Sequence, residues 1–578
     1  MSARHVILAM DFGRGDHFLA TWAACTGELH YIAIAPQMPA AIDIADPQLR
    51  ALWPLALPGV HRIVLDGGRV TLDLMAGTPE TMLPQIVARV DAFHLPAAIG
   101  AQLAPPTLAR TLARLAAPGA TLLAQAPDEA LVWALAAAGF ACQVAPQAMT
   151  AAQAGVAPAA AAAGTRTDGV PDICAVFASR HALPPAPPEP VRRAVVIGAG
   201  VAGSAVCQRL CARGWEVTLI ERHDGPAQEA SGNLAGIFMP LLSKDDNIPT
   251  RLSRAAYLFA LREWQRMGGV GTAFKGAGCG VLQLARDADH ARVQREVVEH
   301  GHYPPQYVRW LDAPAAGALL GSATPHGGWL FGQGGWARPS SLCQAMLAAC
   351  GARLRRVFCA EALTLARVDG EWQVRAADGA LLAQAPTLIL ANGTGATRLA
   401  QAAELPLSSL RGQVTHLAPE RVPAQSLVVC REAYVTPPSD GVICAGATYG
   451  TDDDPNLRPA CQQENLARLA EILDGVAVAD VPLAGRVGFR CAAPDRLPLA
   501  GPLPDYASAG RLEQLSDVPR HPGLYGLLGY ASRGLIWAPL MAELLVAQLE
   551  GAPLPLEASL AAALDPGRFL LKQRRRSQ

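Results

Sequence analysis

The stretch AVVIGAGVAGS, residues 194–204, decides the fold of the chain. Its apolar residues 194–197 predict a buried β-strand, and Gly198, Gly200 and Gly203 follow with the spacing G-x-G-x-x-G. In a βαβ unit the first glycine makes the tight turn and the second admits a pyrophosphate close to the backbone. The third glycine lets helix and strand pack closely. The spacing therefore predicts a phosphate-binding loop at the start of a helix.

Glu221 supports this interpretation because it stands 23 residues after Gly198. Residues 206–213 can continue the helix, Gly214 ends it, and 215–220 have the pattern of a second strand. An acid at the end of that strand can accept hydrogen bonds from a ribose diol, while the helix N-terminus faces the phosphates. An ordinary βα turn would explain the glycines but not Glu221, so we predict a dinucleotide site.

Length and composition restrict the class of protein. The 578 residues are too many for one hydrophobic core, which predicts two or three domains. The chain is 51% hydrophobic and 17% charged, but no apolar stretch reaches the roughly 20 residues that a membrane-spanning helix needs. The net charge of −1 gives no general argument for nucleic-acid binding, so any RNA contact must come from a local patch.

The cysteines and the first residues indicate the compartment. The thirteen cysteines show no C-x-x-C spacing, and we expect no metal site. The odd cysteine number predicts reduced thiols, and the apolar run 6–10 is too short for a signal peptide. These features predict a cytoplasmic protein without membrane association, and we expect a monomer.

Strand and helix patterns alternate through the first 178 residues, which predicts a mostly parallel α/β sheet. The predicted strands are 5–10, 29–35, 62–65, 71–74, 92–95, 121–124, 140–144 and 173–178, and the predicted helices are 18–24, 84–90, 106–116 and 129–138. A loose insertion is predicted at 149–169. The Pro-rich residues 183–190 predict a semi-rigid linker, which places the domain boundary near 181–191.

The second predicted domain has further turns that could face the same cofactor. One follows the buried strand 387–390, and another lies between strand 524–530 and helix 534–549. The glycine loop at 198–203 and the glycine-containing turn before helix 534–549 lie about 330 residues apart. This separation favours FAD over NAD, because NAD sites are completed within contiguous βαβ units. The candidate cofactor-binding residues outside the first loop are Ser231, Gly232, Asn233, Asn392, Gly393, Ser532, Gly534 and Leu535. Four predicted antiparallel strands form a smaller sheet: 413–417, 426–429, 433–436 and 442–447.

Several segments occur in the same order as in a known family. They are SGN at 231–233, MPLLSK at 239–244, GGW at 334–336, RGQV at 411–414, RCAAPDRLP at 490–498 and SRGL at 532–535. With the glycine loop they resemble the FAD-dependent half of the tRNA 5-methylaminomethyl-2-thiouridine biosynthesis bifunctional proteins. That half is related to glycine oxidase and D-amino-acid oxidase. The resemblance runs from about residue 192 to 570 and implies a D-amino-acid-oxidase-like FAD domain with a smaller mixed sheet.

The resemblance also implies an activity. In that family this half oxidises the carboxymethylaminomethyl group on the wobble uridine of certain tRNAs and leaves an aminomethyl group. We therefore expect an oxidoreductase that acts on a CH–NH bond of tRNA. Two rival hypotheses stay open: a small-molecule amine oxidase of the glycine or sarcosine type, and a non-catalytic flavoprotein that binds tRNA.

Three residues are candidates for holding the substrate. Arg490 is the first, because a guanidinium fork matches a carboxylate bidentately; an internal pair with Asp495 is the alternative. Arg533 precedes the last long helix, where it contacts substrate or only braces its loop. Tyr434 is the third candidate, with a surface position on the sheet as the alternative. No general base stands out.

The N-terminal part resembles the methyltransferase half of the same family, which uses S-adenosylmethionine. The family loop E-L-G-F-G-T-G is here A-M-D-F-G-R-G, in which the bulkier, charged Asp11 and Arg14 stand where the family has Gly and Thr. Ala35 replaces the acid that ends the second strand, and Thr78 and Pro96 replace the carboxylates near the adenine and at the catalytic position. We therefore expect a Rossmann-like scaffold with impaired methyl transfer. S-adenosylmethionine binding is expected only under the alternative of a fully bifunctional enzyme.

The predicted domain ranges follow from these patterns. They are a methyltransferase-like domain at 1–181, a linker at 182–191, the FAD-dependent domain at 192–570 and a basic tail at 571–578. Local basic patches that could meet tRNA are few. They lie at 192–193, 353–356 and 572–576, and a solvated tail is the alternative for the last.

Overall fold

The computed structural model describes residues 4–97, 99, 103–144, 172–179, 191–361, 363–476, 480–508 and 510–576. The chain divides into two compact units: Met1–Pro190 with Ala547–Ala561, and Val191–Val546 with Ala562–Gln578. The sequence patterns carried no signal that residues 547–561 belong with the first unit. The predicted insertion at 149–169 and linker at 182–190 lie outside the described residues.

The first unit is built on an eight-stranded sheet whose first strand lies near the centre. Its strands are His5–Ala9, Leu29–Ala35, Gly59–Leu65, Val70–Ala76, Val90–Leu95, Ala116–Ala124, Phe140–Val144 and Ile173–Phe177, and its helices include Asp16–Ala24, Pro47–Ala51, Pro79–Met82, Pro105–Leu115 and Glu129–Ala137. The first strand pairs in parallel with the second on one side and with the fifth on the other. The winding direction therefore changes beside the first strand, which confirms the predicted Rossmann-like topology.

One predicted helix of this unit, at 84–90, is wrong. Leu83–Gln85 forms only a single 3₁₀ turn, and the chain is extended at Ile86 before the strand Val90–Leu95 begins. Ile86 and Val90 are buried in the core as extended chain. Tertiary burial, and not helical periodicity, decides the conformation of this short apolar segment.

A buried charge network ties the C-terminal segment into the first unit. The Arg62 guanidinium donates to both carboxylate oxygens of Asp73, at 2.8 and 2.6 Å, and to the carbonyl oxygen of Pro553 at 2.7 Å. His30 Nε2 lies 2.7 Å from the same Asp73 carboxylate. Burial alone would raise the pKa of Asp73, but the charges of Arg62 and His30 outweigh it and lower that pKa to about 2. The Asp73 carboxylate is therefore ionised, and both of its oxygens are paired inside this unit.

The second unit contains a six-stranded sheet that carries the glycine loop. Its strands in spatial order are Leu354–Val357, Glu216–Ile220, Arg193–Ile197, Thr387–Leu390, Arg520–Leu528 and Leu499–Pro504. The first five are parallel, and only the last pairs antiparallel. The carboxyl ends of the central strands therefore meet at one edge, where ligands bind in sheets of this type.

A mixed sheet of eight strands faces the same region. Its spatial order is Arg309–Leu311, Gly328–Phe331, Val281–Leu284, Val428–Cys430, Tyr434–Val435, Ile443–Gly446, Ser408–Leu417 and Gly485–Ala492. Two three-stranded sheets complete the set: Gly236–Phe238 with Gly335–Ala337 and Gly276–Ala277, and Thr364–Val368 with Glu371–Arg375 and Leu381–Ala385. The described helices after residue 191 are Val201–Ala212, Ile248–Arg266, Ala288–Gly301, Ala313–Leu320, Pro339–Ala348, Pro459–Ala470, Gly534–Leu549, Ala558–Leu564 and Arg568–Arg576.

Buried ion pairs hold the helix after the glycine loop to the long C-terminal helix. Glu543, fully buried, accepts from Arg213 Nη2 at 2.5 Å, and its other carboxylate oxygen forms an ion pair with Arg209 Nε at 3.0 Å. Arg209 also pairs with Glu263 of a third helix. The ion pairs thereby hold these helices against one another. Of the helices in the described part of the chain, none combines the length and apolar character needed to cross a membrane.

Candidate active site

A cavity of about 920 Å³ lies in the second unit at the carboxyl ends of its central strands. Residues of the six-stranded sheet and of the mixed sheet both line it. It brings together most of the residues that the sequence singled out, namely Gly198, Gly200, Glu221, Ser231, Asn233, Asn392, Gly393, Tyr434, Arg490, Ser532, Arg533, Gly534 and Leu535. Gly203 and Gly232 do not line the cavity, and each instead lies in close contact with neighbouring protein atoms.

Gly198 and Gly203 stand where only glycine fits. Gly198 has φ +104°, and a Cβ there would lie 2.7 Å from the carbonyl oxygen of Ala391. A Cβ on Gly203 would lie 1.8 Å from the carbonyl oxygen of Gly198. The glycine loop therefore packs directly on the turn that leads to Asn392, and Gly203 acts through helix packing.

The start of the helix after the loop is open to the cavity. Gly200 occupies the N-cap position and has no side chain with which to cap the helix. The Val201 N–H donates to the Ser231 hydroxyl at 3.1 Å. Gly232 lies under Arg486, since a Cβ at Gly232 would come within 2.2 Å of the Arg486 Nη2 atom. The 231–233 loop is thus held against the helix N-terminus, where N–H groups and the helix dipole favour an anion.

Glu221 is fixed at the end of its strand by backbone donors. Its carboxylate accepts from the Ala199 N–H at 2.7 Å and from the His223 N–H at 3.1 Å. The side chain is buried and lines the cavity. The carboxylate therefore connects the glycine loop to the second strand, and its role toward a ribose stays a prediction.

Arg490 lies in the strand Gly485–Ala492, and not all N–H donors of its guanidinium are hydrogen-bonded. Its Nη1 atom is buried and makes no hydrogen bond to any residue in the described part of the chain. The predicted alternative, a pair with Asp495, is wrong, because Asp495 instead pairs with Arg568 at 2.8 Å. Arg490 packs over Gly412, where a Cβ would lie 1.9 Å from Nη1. The guanidinium is therefore held in place with donors to spare.

Arg533 and Tyr434 line the same cavity as Arg490. Arg533 Nη1 donates to the Met239 carbonyl oxygen at 3.3 Å, and burial lowers the pKa of Arg533 below its ordinary value. Burial raises the pKa of Tyr434, which keeps its phenol neutral. Among the residues that the structure describes, no carboxylate forms an ion pair with Arg490 or Arg533. Two cations facing one cavity without acidic partners suit an anionic ligand.

Sequence reasoning missed two tyrosines of this cavity, Tyr449 and Tyr530. The Tyr530 hydroxyl and the Asn392 Oδ1 atom are buried without a hydrogen-bond partner among the described residues. Tyr449 is 62% exposed, and the Arg490 Cζ atom lies 4.8 Å from its ring centroid. Both tyrosines stand at or just after predicted strands, 524–530 and 442–447, and that position at a strand end was the available signal.

Comparisons with known proteins identify the family. The model of the FAD dependent oxidoreductase family matches residues 193–548. The chain is 43% identical, over 99% of its own length and 91% of the relative's, to the tRNA 5-methylaminomethyl-2-thiouridine biosynthesis bifunctional protein MnmC of Azoarcus sp. (strain BH72). The chain belongs to the MnmC family. The protein of the same name from Burkholderia thailandensis is 42% identical over the same shares of the two chains.

Solved structures agree with the fold of the second unit. Glycine oxidase from Geobacillus kaustophilus matches with a TM-score of 0.54 and 20% identity, over 65% of this chain and 99% of that chain. Iminodiacetate oxidase from Chelativorans sp. BNC1 matches with a TM-score of 0.51 and 24% identity, over 63% of this chain and 96% of that chain. At these identities the likeness supports the fold alone. It confirms the predicted D-amino-acid-oxidase-like architecture.

The cavity fits the FAD that this MnmC-family chain requires. The glycine loop, whose Gly198 and Gly200 line the cavity, and the helix N-terminus beside it form a cradle for phosphate groups. The orphaned polar atoms of Asn392, Arg490 and Tyr530 line the same space and have hydrogen bonds left to make. Buried polar groups without partners are costly, so the cavity is built for a polar ligand.

The corresponding loop of the first unit fits S-adenosylmethionine less well. The Asp11 carboxylate is turned onto its own loop, where it accepts from the Gly13 N–H at 3.0 Å. The strand Leu29–Ala35 ends at Ala35, which offers only its carbonyl oxygen, and this oxygen accepts from the Gly77 N–H at 3.3 Å. The Phe12 ring lies under Gly15, 2.8 Å from where a Cβ would be. The turn of the loop persists, but the acid for a ribose is missing.

Proposed function

We propose that the second unit removes the carboxymethyl group from 5-carboxymethylaminomethyl-(2-thio)uridine in tRNA and leaves 5-aminomethyl-(2-thio)uridine. The carrying observation is that one cavity joins a dinucleotide-type glycine loop to the partly unpaired guanidinium of Arg490. Membership of the MnmC family, whose relatives are named for tRNA 5-methylaminomethyl-2-thiouridine biosynthesis, supplies the tRNA partner.

FAD, when bound, supplies the two-electron acceptor for the amine, and water then cleaves the oxidised N–CH2 bond to release glyoxylate and the primary amine. The chain's own residues bind and orient. Gly198, Gly200 and Glu221 would hold the dinucleotide part, with Ser231 and Asn392 beside it. The loop Ser532–Leu535 would supply N–H groups at a helix start, where negative charge is stabilised.

Arg490 would grip the substrate carboxylate, because its free donors and fixed position suit a bidentate pair. Arg533 adds a second positive charge to the same space, and the neutral Tyr434 phenol can donate one hydrogen bond. These charges favour the carboxylate form of the substrate and disfavour a protonated amine beside them. The amine is therefore kept neutral, which oxidation requires.

The test is Arg490→Ala in the flavin-loaded full chain, with modified tRNA as substrate. We expect KM to rise about 100-fold, because truncating one partner of a desolvated charge pair typically costs 2–5 kcal/mol. Bound flavin should stay near the wild-type amount. Arg367→Ala, which removes an exposed arginine outside the cavity, is the matched control. Kinetics equal to the wild type would exclude Arg490 from carboxylate binding.

For the first unit we propose a retained scaffold with impaired methyl transfer. Ala35 and the self-bonded Asp11 carboxylate support this, together with Pro96 at the position of the catalytic acid. The name of the relatives, a bifunctional protein, favours the second candidate, a fully bifunctional enzyme. Mass spectrometry of wobble nucleosides separates them in cells that lack any other copy of this enzyme. Aminomethyl nucleosides would accumulate under the first proposal, and methylaminomethyl nucleosides under the second.

The tRNA surface, the cytoplasmic location and the monomeric state also belong to this proposal. The basic segments named from the sequence bond partly within the protein: Arg193 pairs with Glu371, and Arg353 pairs with Glu216. The predicted tail forms the end of the helix Arg568–Arg576, and Arg574 donates to the carbonyl oxygen of Ser508 at 3.2 Å. Lys572 and Arg576 stay exposed and could meet phosphates.

A further inference from the structure

Tyr449 is an exposed aromatic side chain at the cavity in which the substrate amine would react. It is 62% exposed, whereas Ala447 and Thr448 immediately before it are buried. It nevertheless lines the cavity together with Arg490 and Tyr434. A large aromatic surface left open beside a binding cavity indicates a place for a flat ligand.

The backbone around Tyr449 is firmly fixed. The Thr448 N–H donates to the Gln413 carbonyl oxygen at 3.2 Å. Gly450 and Arg411 exchange two backbone hydrogen bonds, at 3.0 and 2.9 Å. The ring is therefore presented by a paired segment of the sheet, so a ligand that stacks on it pays little for ordering the backbone.

The Arg490 guanidinium lies over one face of the Tyr449 ring, and the side chain is still 62% exposed, which leaves the opposite face for a nucleobase. The Arg490 Cζ atom lies 4.8 Å from the Tyr449 ring centroid. In 5-carboxymethylaminomethyluridine four bonds separate the pyrimidine ring from the carboxylate carbon, a span of roughly 5 Å at ordinary bond lengths. A substrate whose carboxylate meets Arg490 therefore has its pyrimidine ring within reach of Tyr449.

We propose that Tyr449 is the stacking platform for the nucleobase that carries the amine, or for the base next to it. Single-stranded RNA bases are commonly held by stacking on tyrosine and other aromatic rings. The inference rests on the proposed function and adds its selectivity. Arg490 recognises the carboxylate that any N-substituted glycine has, whereas Tyr449 recognises the base that only the RNA substrate has.

The test compares Tyr449→Leu with Tyr449→Phe in the flavin-loaded full chain. The probe is a labelled anticodon stem–loop with 5-carboxymethylaminomethyluridine at the wobble position, and anisotropy gives its Kd. We expect the leucine variant to raise Kd about tenfold, the size of one base–aromatic stack, and the phenylalanine variant to recover most of the loss. Trp133→Ala, which removes a 76% exposed aromatic from the first unit, is the matched control.

A second titration excludes a merely structural role for Tyr449. The ligand is N-methylglycine, whose binding is measured by the change in flavin absorbance. It reports how tightly Arg490 binds a carboxylate when no nucleobase is present. We expect the leucine variant to weaken stem–loop binding several times more than N-methylglycine binding. Equal weakening of both would mean that Tyr449 only positions Arg490, and this would overturn the stacking proposal. An unchanged stem–loop Kd would overturn it as well.

The proposed function has its own readout in the same experiment. Glyoxylate release from the stem–loop tests oxidation, whereas Kd, measured with the flavin already reduced, tests stacking without turnover. A wild-type protein that binds the stem–loop but releases no glyoxylate would overturn the proposed function, and the Kd comparison would still decide the role of Tyr449. A wild-type protein that binds no stem–loop at all would overturn the stacking proposal.

Discussion

The two units begin alike but end their second strands differently. Each has a buried parallel strand, a turn with glycines and then a helix. In the second unit the next strand ends at Glu221, whose carboxylate holds the Ala199 N–H. In the first unit the next strand ends at Ala35, where only a backbone carbonyl is offered. The fold therefore persists without the polar residues of a site, and function depends on those residues.

The surroundings of the two glycine loops also differ in polarity and packing. The loop of the second unit opens on a large cavity with orphaned polar atoms. In the first unit aromatic rings pack together behind the loop: Phe12 lies 5.5 Å from Trp53, and His17 stacks on His94 at 4.3 Å. Packed rings therefore stand beside the first loop and open polar groups beside the second, and three experiments test this contrast.

Gly203→Ala should give the largest effect. A Cβ at this position would lie 1.8 Å from the Gly198 carbonyl oxygen, so the helix must shift away from the loop. We expect the purified protein to carry less than about a hundredth of the wild-type flavin, because misplaced N–H groups no longer meet the phosphates. The ratio of flavin to protein absorbance measures this directly.

Gly13→Ala is the counterpart in the first unit. The nearest atom to its Cβ would be 3.9 Å away, although φ is +55°. We expect a loss of about 1 kcal/mol of stability from the backbone strain and a normal flavin content. A Gly203→Ala protein with full flavin, or a Gly13→Ala protein without it, would contradict the contrast between the two loops.

Glu221→Ala should have a smaller effect on flavin binding. The change removes an acceptor from two backbone N–H groups and from the predicted ribose, and hydrogen bonds to charged groups contribute about 1.5–3 kcal/mol each. We expect the Kd for FAD to rise roughly 10- to 100-fold, measured by refilling the flavin-depleted protein. Glu216→Ala, on the exposed face of the same strand, is the control. Equal affinities for both variants would remove Glu221 from the site.

Acidification should weaken the first unit through two histidines that folding holds neutral. Burial lowers the pKa of His17 and of His30 to about 4 each. The unfolded chain therefore binds more protons than the folded chain between about pH 6.5 and 4, so stability falls as the pH falls through that window. We expect a loss of about 2 kcal/mol, after discounting the part-exposed His17.

Hydrogen exchange of the strand Leu29–Ala35 in the full chain measures this loss. His17→Phe should reduce the pH dependence, because the neutral ring cannot take up a proton. The pKa of Asp73 lies near 2, so its pair with Arg62 contributes no change in the same window. Constant protection factors from pH 7 to 4.5 would show that neither histidine is held neutral by folding.

The sequence predicted most of the central fold correctly. The strands Leu29–Ala35 and Phe140–Val144 and the helix Gly534–Leu549 have the predicted bounds, because each combines an apolar run with clear glycine or polar ends. The helix at 84–90 failed because its short apolar pattern is equally satisfied by extended chain buried in the core. Local patterns decide an element only where it is long enough for periodicity to show.

The candidate site was predictable in its cofactor half and less so in its substrate half. Glycine spacing and Glu221 are local signals. Whether Arg490 pairs with Asp495 depends on where Arg568 lies, 73 residues further along the chain. Spacing carries no information about such a partner. The same holds for Tyr449, whose importance comes from its exposure beside a cavity that only the folded chain forms.

The assignment of Ala547–Ala561 to the first unit has a consequence for biosynthesis. The Pro553 carbonyl oxygen accepts from the buried Arg62, and the Leu554 N–H donates to the Val87 carbonyl oxygen at 3.0 Å. Translation proceeds from the N-terminus at about 5–20 residues per second, so these partners emerge from the ribosome only after residues 191–546 of the second unit. The unit whose synthesis begins first is therefore completed only after most of the second unit has been translated, and a message truncated before residue 547 leaves both units unfinished.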